Sequence, residues 1–61
     1  MTDVQKLFAD ATAALEDAHG IAVEGQRADL SPDVQHCYAH QLRRELGRIR
    51  AIVSAICGAL S

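Results

Sequence analysis

The chain has no tryptophan and only one phenylalanine, Phe8, and one tyrosine, Tyr38, among its 61 residues. So few aromatic faces exclude a stacking platform for single-stranded nucleic acid, and neither helix-turn-helix nor zinc-finger spacing is present. Proline occurs once, at Pro32, so nothing beyond it interrupts a helix in the C-terminal half. The glycines stand apart at Gly20, Gly25, Gly47 and Gly58, without the clustering of a phosphate-cradling loop. Charged side chains break every window of about 20 residues, the length needed to cross a bilayer, so no membrane span is expected. The opening Met1-Thr2-Asp3 lacks the basic-then-apolar order of a secretory signal. Two cysteines, Cys37 and Cys57, stand twenty residues apart on what reads as one helix. At that spacing they lie about 30 Å apart, beyond disulfide reach, and are expected to be reduced structural thiols. A cytoplasmic protein with no membrane partner is expected.

What the chain does contain is helical periodicity. Ser31-Pro32-Asp33 is a helix start: a hydroxyl that can accept an early N–H, a proline at the first turn, and a carboxylate at the positive end of the dipole. Beyond it, Leu42, Leu46, Ile49, Val53, Ile56 and Leu60 alternate steps of four and three, the spacing of a heptad seam. Val34 and Tyr38 extend the stripe backward, and Ile52 and Ala59 widen one flank. A helix over about 32–58 is predicted, with Gly58 as its stop.

The first half repeats the idiom. Thr2 and Gln5 have the spacing of a capping box. Val4, Phe8, Ala11, Leu15, Ala18 and Ala22 then alternate in the same way, flanked by Leu7, Ala14 and Ile21. Gly20 or Gly25 could end this helix. Continuation to about residue 28 is preferred, because it makes two rods of nearly equal length that can cover each other. The short connection Asp29-Leu30-Ser31 then requires an antiparallel hairpin. The fold class is therefore all-α, a single domain over residues 1–61.

Charge is unevenly placed. Residues 1–30 carry two basic and six acidic side chains, and residues 31–61 carry four basic and two acidic ones. Asp3, Asp10, Asp17 and Glu24 recur every seven residues as an acidic column, whereas Arg43, Arg44, Arg48 and Arg50 cluster on the second helix. These arginines are the candidate site for an anionic ligand, whether RNA, DNA or a nucleotide. The formal net charge of −2 opposes phosphate binding. In architecture, though not in sequence, such a hairpin resembles the small plasmid copy-control proteins that bind RNA as dimeric four-helix bundles. No residue of theirs is carried over.

One compact set of chemically capable side chains remains. His36 and His40 stand four apart, a spacing that sets both imidazoles on one helix face. In an antiparallel hairpin His19 could add a third ligand, with Glu24 near His36. The same spacing arises on ordinary surface helices, and no cofactor is expected. Catalysis has little support, since neighbouring His36 and Cys37 point in different directions. Apolar stripes wider than one neighbour can cover lead instead to a homodimer forming a four-helix bundle, or to a larger oligomer. Its interface is expected to draw on Phe8, Leu15, Leu42, Leu46, Ile49, Val53 and Ile56. The expected role is a small homo-oligomeric module, regulatory or adaptor in kind, that binds another protein, of a size common among bacterial and phage products.

Overall fold

The computed structural model describes residues 2–61 as two α-helices, α1 (Asp3–Gly25) and α2 (Pro32–Leu60), joined by one turn. Both starts form as their sequences require. The Thr2 hydroxyl accepts the Gln5 N–H at 3.1 Å, and the Gln5 side chain accepts the Thr2 N–H at 2.9 Å. Ser31 Oγ accepts the Val34 N–H at 3.3 Å, with Pro32 in the first turn. Each cap satisfies donors that a helix leaves open.

The helix ends differ from the sequence expectation. α1 stops at Gly25 rather than near residue 28, and Arg27 binds across the turn that follows. Its Nε and Nη2 reach the two Asp29 carboxylate oxygens at 3.1 and 2.8 Å, and its Nη1 reaches back to Glu24 at 3.2 Å. Asp29 first, then Glu24, holds the guanidinium pKa above its ordinary value. α2 runs through Gly58 to Leu60, where the Ser61 hydroxyl donates to the Cys57 carbonyl at 2.7 Å and closes the last turn. The helices are thus unequal, at 23 and 29 residues, and the reversal occupies residues 26–31.

The hairpin is antiparallel. Asp17 lies level with Arg48, and a Cβ on Gly25 would stand 3.9 Å from that of Tyr38. Against α2, α1 sets Val4, Leu7, Ala11, Ala14, Ala18, Ile21 and Gly25; α2 answers with Tyr38, Leu42, Glu45, Ile49, Ile52 and Ile56. Both sets keep the alternation of three and four, but they are not quite the predicted ones. Three alanines and Ile56 are the only buried residues among those described, and Ala14 has no exposure at all. Phe8 and Leu15, predicted to share the seam with Ala11 and Ala18 while Ala14 flanked it, stay about half exposed at 53% and 54%. Small side chains hold the centre because they let the backbones approach, and bulkier ones fall to the flank. The result is a thin slab of 45 × 17 × 9 Å.

Replacing Ala14 by Leu should force the helices apart and destabilise the fold by about 1–3 kcal/mol, whereas Leu at the exposed Ala13 should be tolerated. Urea denaturation of the two variants tests this. Equal stability would mean that the close approach at Ala14 is not what sets the helix spacing.

Candidate interaction surface

The heptad geometry fixes what lies on each side of the seam. In an antiparallel pair, the residues just before each first seam position share one flank, and those just after each second seam position share the other. On the first flank stand Asp3, Asp10, Asp17 and Glu24 of α1 with Gln41, Arg48 and Ala55 of α2. There Arg48 Nη1 is 3.4 Å from both Asp17 Oδ2 and Glu45 Oε2, the first being the one ion pair between helices among the described residues. Glu45 itself sits half-buried in the seam. A shallow acidic groove on this flank is lined by Glu16, Asp17, Glu24 and Glu45 beside Tyr38.

The positions of the opposite flank are themselves uncharged, with Arg43 and Arg50 at its α2 border beside Leu46. Phe8, Leu15 and Ala22 of α1 stand there with Ala39, Leu46, Val53 and Leu60 of α2. From the middle of the hairpin to its open end the large side chains interleave as Leu46, Leu15, Val53, Phe8 and Leu60, with exposures from 47% to 66%. Scattered exposed apolar residues need no explanation, but a continuous row of them does. Toward the turn the row gives way to a hollow where Ala22 and Ala39 are small. Beyond Arg50, α2 carries no charged side chain up to Ser61, so the open end is apolar or weakly polar on the α2 side.

The seven residues expected at an oligomer interface divide between these settings. Leu42, Ile49 and Ile56 lie in the seam between α1 and α2, whereas Phe8, Leu15, Leu46 and Val53 belong to the open apolar flank. The four arginines wrap the outside of α2. Arg48 is engaged with carboxylates, while Arg43 and Arg50 border a small cleft over Leu46 and Gly47. Arg43, Arg44 and Arg50 join no ion pair among the described residues.

The structure brings two of the three candidate histidines together. The His36 and His40 rings lie edge to face with centroids 4.6 Å apart, but His19 does not join them. No group of three or more metal-capable side chains occurs among the described residues. The reason lies in the register: His19 stands level with α2 more than a turn beyond His40, on the outer surface of α1. Glu24, expected near His36, is committed to Arg27. Both cysteines are exposed free thiols, and no described helix is long and apolar enough to cross a membrane. Comparison with protein-family models, curated proteins and solved structures finds no match.

The first flank's ion pair is exposed on both sides, at 50% for Arg48 and 61% for Asp17. Arg48→Ala should therefore lower unfolding stability by less than about 1 kcal/mol, and by less still in high salt. A larger loss in thermal melts would show that Arg48 anchors more than a screened surface pair.

Proposed function

We propose that this chain is a small helical binding module of the cytoplasm, without catalytic activity, that works through protein–protein contact. Its first partner is a second copy of itself, in a four-helix bundle. The observation that carries this reading is the uncharged row of Leu46, Leu15, Val53, Phe8 and Leu60 along one flank of the hairpin. Surface area supports it. The hairpin exposes 4632 Å², against about 3,900 Å² for a compact monomer of its mass. The excess, roughly 700 Å², is close to the ~800 Å² that each partner contributes to a standard interface. Exposed free thiols suit a reducing compartment. Once two hairpins are paired, the acidic flank and Arg44 on the back of α2 remain outward for a further protein in a regulatory or adaptor role.

Sedimentation equilibrium over a wide concentration range tests the reading. The expected result is a dimer at micromolar concentration. Leu15→Lys, at the centre of the row, is expected to yield a monomer that is less helical or less stable. A wild-type chain that stays monomeric and fully helical at high concentration would overturn the reading.

A second reading rests on Arg43 and Arg50, which join no ion pair among the described residues and flank Leu46 and Gly47, with Arg44 and Arg48 beside them: recognition of an anionic ligand such as RNA, DNA or a nucleotide. Binding to a short RNA or DNA duplex would then weaken steeply with salt and be abolished by Arg43→Glu with Arg50→Glu. Binding that ignores salt, or survives both reversals, would exclude it.

A further inference from the structure

The apolar flank has an order of side-chain sizes that specifies how two copies meet. On α1 it runs Phe8, Leu15, Ala22, and on α2 it runs Ala39, Leu46, Val53, Leu60, each at intervals of seven. Leu15 is the midpoint of the first series. The midpoint of the second falls between Ile49 and Arg50, which the Asp17–Arg48 and Gly25–Tyr38 contacts place level with Leu15. One twofold axis, perpendicular to the helices, therefore passes through the centre of both series. Turning a second hairpin about that axis sets Phe8 opposite the partner's Ala22, Leu60 opposite the partner's Ala39, and Leu46 opposite the partner's Val53. Leu15 meets its own copy. Large side chains meet small ones at the ends and equals meet in the middle, the arrangement that interdigitates two layers without voids.

The hollow near the turn supplies the receiving site. It measures about 250 Å³ and lies on the same flank as the exposed row, with Ile21, Ala22, Ala39 and Leu42 among its lining and the amides of Gln26 and Gln35 at its turn end. Building on the self-association proposed above, we infer that the chain pairs with a second copy with turns at opposite ends, so that Phe8 and Leu60 of each enter the partner's Ala22–Ala39 hollow. Stacking with turns at the same end would bring hollow over hollow and bulky residue over bulky residue, leaving one end unfilled and the other splayed. The opposite-end arrangement brings the two Arg50 side chains near the axis. Their charges are exposed and screened, so that repulsion is weak beside the dispersion attraction that an unfilled, mostly apolar hollow forfeits.

A size exchange tests the geometry. Phe8→Ala and Ala22→Phe are each expected to weaken dimerisation at least about tenfold, and the double variant to recover most of the loss. Ala22 is exposed in the hairpin, so Ala22→Phe reports on pairing even if Phe8→Ala lowers stability. Recovery absent from the double variant would overturn the inference. Spin labels at Asp29→Cys, with Cys37→Ser and Cys57→Ser, give a second readout. Opposite-end stacking sets the labels about 40 Å apart, the rise of roughly 28 helical residues, and same-end stacking about 20 Å apart. The short distance would overturn the orientation while leaving the dimer intact. A wild-type monomer would instead sink the underlying proposal of self-association.

Discussion

Ala11, Ala14 and Ala18 let α1 and α2 approach closely, and that approach decides which residues the hairpin can cover. Two helices in contact cover one narrow strip each. When alanine fills the strip the backbones draw together, but little apolar area leaves water per residue. Ile56 is the only large side chain buried among the described residues. Ordering a chain of this length costs on the order of 1 kcal/mol or more per residue, which so small a core is poorly placed to offset. The scarcity inside and the apolar row outside are two sides of one distribution of side chains.

Polar groups act locally and settle the ends. The Thr2–Gln5 and Ser31–Val34 bonds open the two helices, and Arg27 ties Glu24 and Asp29 into the reversal. Such exposed contacts add little energy each. Their effect is positional, because they fix where each helix begins and so which residues of α1 and α2 stand level. The Asp17–Arg48 pair works in the same sense, marking one flank as charged. With charge gathered on that flank and on the outer surface of α2, the side chains of the other flank are uncharged.

The grooves are shallow and lie on the surface of a slab only 9 Å deep between backbone positions. The carboxylates are spread along a helix flank or paired with arginine, and the closest imidazoles, His36 and His40, face each other rather than a nucleophile. The row of Leu46, Leu15, Val53, Phe8 and Leu60 is continuous and has a defined order of sizes.

Two helices, their starts and their antiparallel course are legible in the order of residues alone, because capping groups and periodicity act through neighbours along the chain. The acidic column at intervals of seven and the surplus of apolar positions are legible in the same way. Choosing between two overlapping stripes required the folded hairpin. The series Val4, Phe8, Ala11, Leu15 and the series Val4, Leu7, Ala11, Ala14 both alternate three and four, and no local rule separates them. The choice depends on how closely the helices approach. Alanine at the contact permits the closer approach, and a glutamate, Glu45, is accommodated in the α2 seam that hydrophobicity alone would pass over. The early end of α1 and the exclusion of His19 from the His36–His40 pair have the same origin. Both follow from side-chain reach across the turn and from the register between helices, which exist only once the chain has folded back on itself.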